Sequence, residues 1–310
     1  MYYPYLRGKQ NELILLRENA ELISKSQISP IIEPVKSNLN PLLKSFRVLI
    51  SELCSFSIII NPIYGDFSFD NIALIDCLNE EGILDYENLN VALICDENTD
   101  INTLEKYIKD YPDNNITLIH YGFTDGRELE KLLSNFKNQF THIFIEKFAQ
   151  KRYRRIFTKD KRILIKDGFN KQKSNKDYPA KEHFSELHIM YEDENMDGFG
   201  DFLINGDEYS ESGGPAYAVA IHLTYLDEDD EDDMFIKHYI SDSNSSPADP
   251  GGKFLEALTK LVNDTDPKVF ASKAHQEFLK LAQRQHYPGL GYVKKLSMQH
   301  HLESIADFLK

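Results

Sequence analysis

Six short runs rich in Ile, Val, Leu and Phe, at 29–35, 56–62, 90–95, 115–121, 141–146 and 162–167, punctuate the first part of the chain, and their recurrence most limits the fold. Runs of this length and composition read as strands buried on both faces. Between them lie amphipathic stretches. Residues 8–24 place Leu13, Leu16, Ala20 and Ile23 at helical spacing, and 101–111 and 125–137 repeat the pattern. Strands alternating with helices imply βαβ units and a parallel sheet. With no Gly-rich dinucleotide loop, the pattern points to a (β/α) barrel rather than a Rossmann sheet, although an open doubly wound sheet would leave a similar trace.

Beyond residue 170 the rhythm changes. Runs 199–205, 216–225 and 234–240 read as strands with no helix of useful length between them. The last two flank Asp227–Asp233, seven acids in succession, which reads as an exposed, mobile turn because like charges cannot all be paired in a core. These strands predict an antiparallel hairpin or an irregular closure of the barrel. Helices are predicted over 252–263, 267–285 and 297–309, the second opened by Asp266-Pro267. The expectation is an α/β, TIM-barrel-related (β/α) barrel with an irregular antiparallel closure and C-terminal helices. It forms one barrel-like domain over 1–310, with regular βα units in 1–170, irregular strands and the acidic hairpin in 171–250, and helices in 251–310.

A hydrophobic content of 41% over 310 residues is enough for a sizeable core. Cys54, Cys77 and Cys95 sit in or beside apolar runs without CxxC spacing, so they read as buried reduced thiols. The opening MYYPYLRGKQ lacks the apolar core of a signal peptide, and no apolar run nears the roughly 20 residues of a membrane span. A cytoplasmic protein without a membrane partner is expected. The net charge of −15 argues against indiscriminate nucleic-acid binding. Charge is nevertheless segregated: 147–181 holds thirteen Lys or Arg and three acids, and 182–233 holds seventeen acids and no Lys or Arg.

In a parallel barrel the functional groups cluster at the C-terminal ends of strands. The residues there are Arg7, Lys9, Glu33, Lys36, Asn61, Asp96, His120, Glu146, Lys166 and Asp167, joined by Asp201, Asp207, Glu208 and Glu211 from the acidic half. Polar residues also end strands simply by leaving the core, so the set is a pool of pocket candidates. Arg7, Glu33, Lys36 and Asp201 are expected to share one concavity.

Asp193, Asn195, Asp197, Gly198 and Asp201 follow calcium-loop spacing, but the bidentate Glu position holds Ile204, so the segment reads as an acidic turn. No cofactor is expected; magnesium is the one ion the pattern admits, on Asp201, Asp207 and Glu208, with Glu211 nearby. Ser210 and Ser212 stand before Gly213-Gly214 without the GxSxG elbow of a nucleophile. His300 and His301 lack His-Glu-x-x-His spacing and read as surface residues. Lys151, Arg152, Arg154 and Arg155, interleaved with Tyr153 and Phe157, form a pattern able to hold phosphates and stack bases. A solvated helix face neutralised by the following acidic segment explains the same residues.

The opening MYYPYLRGKQNELILLRENAE with ISPIIEPVK resembles the phage "beta protein" family and its bacterial relatives. The later FGDFLINGDEYSESGGPAYAVAIHLTY, FIKHYISD and HYPGLGYVKKLSMQHH are similar to one uncharacterised bacterial branch of that group. The resemblance spans nearly the whole chain. It implies a barrel-like fold and a phage-defence or mobile-element setting, with no reaction to carry over. The sequence does not decide whether the protein is an enzyme. The leading expectation is a recognition component acting with a protein partner. The competing one is a barrel hydrolase or lyase acting on a phosphate-bearing small molecule or nucleotide, and the third is nucleic-acid binding through 147–181.

Overall fold

The computed structural model describes residues 1–211 and 213–310. Ser212, one of the two serines weighed as a nucleophile, lies outside the described residues. The strands are β1 (Tyr5–Leu6), β2 (Ile31–Ile32), β3 (Phe56–Ile59), β4 (Leu89–Asp96), β5 (Asn115–Tyr121), β6 (Phe140–Ile145), β7 (Lys161–Ile165), β8 (Lys181–Ser185), β9 (Gly198–Gly200), β10 (Ala220–Asp227) and β11 (Asp233–Ile240). The helices are α1 (Gln10–Glu18), α2 (Ala20–Lys25), α3 (Asn40–Ser51), α4 (Ile72–Glu80), α5 (Ile101–Asp110), α6 (Gly126–Leu133), α7 (Lys151–Arg154), α8 (Leu187–Met190), α9 (Pro250–Asn263), α10 (Lys273–Gln283) and α11 (Leu290–Phe308). Two compact units divide the chain: Met1–Lys166 with Met190–Asp201, and Asp167–Ile189 with Phe202–Lys310.

The first unit is a nearly closed, all-parallel sheet of eight strands in the order β1-β2-β3-β4-β5-β6-β7-β9. Its two edges meet at the N-terminus. Tyr2 forms parallel bridges to both Ile28 and Phe199, and the Tyr3 and Tyr5 amides donate to the carbonyls of Phe199 (2.8 Å) and Asp201 (2.9 Å). The closure is therefore parallel, which corrects the expected antiparallel one. Gly200 permits it, since a Cβ there would run into the Tyr3 carbonyl. Run 199–205 does not continue as a strand: after β9 it turns through a short 3-10 helix at Leu203–Asn205.

Strand alternation sorts the barrel residues into two sets. Phe56 stacks on Phe46 of α3 at 5.2 Å, and His120 and Phe144 lie against Tyr153 and Phe157, which identifies the helix-facing side. The opposite parity, with Tyr5, Ile31, Ser57, Ile59, Ala92, Ile94, Thr117, Ile119, Ile143 and Ile163, faces the barrel interior and is buried throughout. Small and β-branched residues dominate there, as a narrow barrel requires. Cys54 and Cys95 are buried as expected, whereas Cys77 is half-exposed on α4.

The second unit is built on a separate antiparallel sheet, β10-β11-β8. Val219, Ile221 and Leu223 pack with Phe254, Leu258 and Leu261 of α9, Phe278 of α10, and Val293 and Leu296 of α11. The predicted hairpin at Asp227–Asp233 is present, but only part of it is exposed. Asp227 is buried, engaged by Lys268 and Lys181 (3.5 Å), while Lys268 also reaches Asp229 at 2.7 Å. Two helix readings need correction. Helix α10 begins at Lys273, where the Ser272 hydroxyl accepts from the His275 amide; Asp266 instead pairs with Lys237 at 2.8 Å. Asp249-Pro250 is the junction that opens a helix, α9. His300 and His301 are fully buried, not on the surface, because α11 is covered on more than one side.

Candidate functional site

At the C-terminal end of the barrel, parity decides which polar residues face inward. Arg7, Glu33, Asn61, Asp96 and Tyr121 share the interior parity; His120, Glu146, Lys166 and Asp201 do not. Glu33 is completely buried. One carboxylate oxygen accepts from the Tyr5 hydroxyl (2.9 Å) and faces Arg7 Nε at 3.6 Å, and the other accepts from the Ile63 amide (3.1 Å). Burial raises the Glu33 pKa, while Arg7 and these hydrogen bonds oppose the rise. The Arg7 guanidinium lies over the Tyr64 and Tyr5 rings, 5.1 and 5.5 Å from their centroids, and the Tyr64 and Tyr121 hydroxyls are 3.5 Å apart. The result is a tight Arg–Glu–Tyr cluster at the barrel rim.

The remaining strand-end residues have local duties. Asn61 exchanges two hydrogen bonds with the Ile94 backbone (2.9 and 2.8 Å), filling a gap in the β3–β4 ladder. Asp96 accepts from the Thr99 hydroxyl (2.6 Å) and the Asn98 amide (3.0 Å), forming a turn. Lys9 precedes α1, where its amide donates to Glu12 at 3.1 Å. Glu146 is exposed, and the Lys166 amide donates to the Gly200 carbonyl (3.1 Å) across the closing strand pair. Asp201 accepts from the Tyr2 hydroxyl at 2.7 Å on the helix-facing side of the sheet, so it does not share a concavity with Glu33. Asp167, in the second unit, accepts from the amides of Asp207 (2.8 Å) and Phe169 (3.0 Å). Glu208 pairs with Lys171 at 3.2 Å, and Glu211 accepts from Tyr209 at 2.5 Å. Among the described residues no three His, Cys, Asp or Glu side chains converge as a metal site.

His120 belongs to the layer between sheet and helices. Its Nε2 shares a hydrogen bond with His142 Nδ1 (2.8 Å), and its Nδ1 shares one with the Tyr153 hydroxyl (2.8 Å). Burial pushes the His120 pKa far below its usual value, with His142 adding to the effect. Burial lowers that of His142 too, against the opposing pull of Asp160. Two stacked imidazoles 5.1 Å apart are thus held neutral as a packing element.

Among the described residues, two recesses stand out in the first unit. One, of about 400 Å³, borders the loops after β1 and β2, where Arg17, Lys36 and Lys44 stand with Gln10, Ser37 and Asp66. Lys36 is the strand-end candidate found there, separated from the buried Arg7–Glu33 pair by its exposure. The other, of about 430 Å³, gathers Lys151, Arg154 and Arg155 with Thr158, Arg162 and the turn at 193–196. Arg152 is exposed and does not line it. Basic and acidic segments do neutralise each other in part, since Glu194 meets Lys151 at 2.5 Å and Arg154 at 3.3 Å. Sequence reading missed Arg17, Lys44, Arg162 and Glu194, because none ends a strand or stands out from its charged neighbours. Tyr121 was recoverable: in β5 it has the interior parity that its neighbour His120 lacks.

A comparison with known protein families finds no matching family, and a comparison with curated proteins finds no relative. Among the described residues no helix is long and apolar enough to cross a membrane.

Proposed function

We propose that this chain acts by recognition rather than by catalysis, as a component of a bacterial phage-defence system working with a protein partner. The resemblance to phage beta proteins supplies the setting. The observation that carries the non-catalytic reading is the occupancy of the strand-end acids: Glu33, Asp96, Asp167 and Asp201 each accept hydrogen bonds from their own chain. A general acid or base needs a proton path to substrate, and Glu33 has Tyr5, Arg7 and the Ile63 amide around it instead. Purified protein offered phosphomonoesters, phosphodiesters and nucleotides, with and without magnesium, is expected to turn over none of them. Expressed beside its genomic neighbours, it is expected to co-purify with one of them at fixed stoichiometry. Steady turnover that disappears in Glu33→Gln would overturn this reading.

One observation favours the enzyme reading. The recess holding Arg17, Lys36 and Lys44 adjoins the loops that follow β1 and β2, the end of a barrel where chemistry is usually built. In that reading the lysines hold a phosphate-bearing substrate. Polymeric nucleic-acid binding by 147–181 draws less support, since Lys151, Arg154, Arg155 and Arg162 gather around one recess rather than along an extended track.

A further inference from the structure

The recess at the N-terminal ends of β7 and β9 inverts the charge of the molecule. The whole chain carries −15, yet four cations, Lys151, Arg154, Arg155 and Arg162, line this cavity against two acids, Asp193 and Glu194. The local balance is two positive charges. Arg154 has only 5% of its side chain exposed, and its Nε and Nη1 groups have no hydrogen-bond partner in the chain. A buried guanidinium with unmet donors is costly, and it calls for a partner that the chain itself does not supply, an ion among them. Among the described residues, neither Arg155 nor Arg162 has an acidic side chain within ion-pair distance. The Arg162 amide, by contrast, is tied to the Asp197 carboxylate at 2.8 Å, which pins the following turn to the start of β7.

Glu194 reveals what the cavity accepts. Its carboxylate spans Lys151 (2.5 Å) and Arg154 (3.3 Å), occupying the place between the two cations. It sits on a turn whose next residue, Asn195, has a left-handed backbone (φ 57°), so the internal anion is carried by a loop and not by a strand. We propose that this recess binds a phosphate dianion carried on a small molecule, with Lys151, Arg154, Arg155 and Arg162 as its cationic wall and Glu194 as the internal anion it displaces. Guanidinium groups match phosphate oxygens in planar, directional fashion, and the Thr158 hydroxyl on the same wall can donate to a further oxygen. A volume of about 430 Å³ is that of a small-molecule site. A polyanion track would instead be open and elongated. The site lies at the opposite ends of the strands from the Arg7–Glu33 cluster, so it stands or falls independently of the recognition reading.

The test is calorimetric titration of the full chain at low ionic strength with inorganic phosphate, ribose 5-phosphate and ribose. A second arm compares a single-stranded oligonucleotide bearing a 5′-phosphate with the same strand bearing a 5′-hydroxyl. Phosphate and ribose 5-phosphate are expected to bind saturably, and ribose is not. Arg155→Ala and Lys151→Ala, both on exposed side chains, are expected to weaken binding by roughly tenfold each, the scale of one charge-assisted hydrogen bond. Glu194→Gln, which removes the competing charge, is expected to tighten it by a similar factor. Three results would overturn the proposal: no saturable phosphate binding, affinities indifferent to Arg155→Ala and Glu194→Gln, or equal binding of the two oligonucleotides. The last would assign these cations to a nucleic-acid backbone.

Discussion

The two units solve the problem of buried polarity differently. The parallel barrel places its strands between an interior of isoleucines, small residues and tyrosines and an outer shell of helices, and it contains two of the ten histidines, His120 and His142. The second unit, with three antiparallel strands and long C-terminal helices, contains the other eight. Several are wired into its core. His300 links Ser272 (2.7 Å) to the Thr224 carbonyl (2.7 Å), His301 meets the Thr224 hydroxyl (2.9 Å), and His222 and His238 share a hydrogen bond at 2.6 Å. The barrel is thus held mainly by apolar packing, and the second unit by apolar packing threaded with hydrogen-bonded imidazoles. The difference teaches where acid should act.

The largest expected effect follows from that contrast. Burial drives the pKa of His300 down to about 3 and lowers those of His222, His238 and His275. An imidazole whose folded pKa lies below its unfolded value near 6.5 leaves the unfolded chain holding more protons, so stability is full above pH 6.5 and falls as the pH drops below it. Each such group costs up to about 1.4 kcal/mol per pH unit. His120 and His142 act in the same direction in the barrel but are two against these four, so hydrogen exchange between pH 7 and 4.5 is expected to show α11 and β10 losing protection before β4–β6. Simultaneous loss, or earlier loss in the barrel, would break the comparison.

Next in size is Phe278→Ala, which empties a fully buried ring from the second unit. It is expected to cost about 3–5 kcal/mol. If the units are separate in stability, thermal unfolding will split into two transitions with the barrel transition unmoved. A single shifted transition would show that the units unfold as one.

Gly200→Ala probes the barrel by itself. The added methyl must push against the Tyr3 backbone at the seam, at a cost of about 2 kcal/mol or more. Amide protection of Tyr3 and Tyr5 is expected to fall while the second unit keeps its own. At the small end, Glu228→Gln, Asp230→Asn and Glu231→Gln together are expected to change stability by less than about 0.5 kcal/mol, because Lys268 and Lys181 hold Asp227 and Asp229 instead. A larger loss in chemical denaturation would mean that the acidic turn braces the hairpin.

The same contrast explains what could be read in advance. Strands β3 to β7 were legible because a parallel strand buried on both faces must be apolar nearly throughout. Strand β9, only Gly-Phe-Gly, carries no such signal, and β8, Lys-Glu-His-Phe-Ser, looks like surface; that is why the closure was misassigned. The seven-acid turn announced its hairpin through charge repulsion alone. The rim cluster was half legible: Arg7 and Glu33 were marked by position, while Tyr5, Tyr64 and Tyr121 read as ordinary aromatics. His300 and His301 misled because adjacent residues point about 100° apart on a helix, which signals exposure only if one face meets solvent.

The seam at Tyr2 sets a clock on biosynthesis. Tyr2 finds one of its partners only at Phe199, so the barrel cannot be completed on the ribosome until the roughly 200 residues between them have been made. At translation speeds of about 5–20 residues per second, that is a wait of roughly 10–40 s. Throughout it the β1 edge stays open to pairing with whatever strand is nearby. A chaperone holding the Tyr2–Leu6 segment during that interval would protect this chain more than one whose edges meet early, and poor yield on rapid overexpression is the expected symptom.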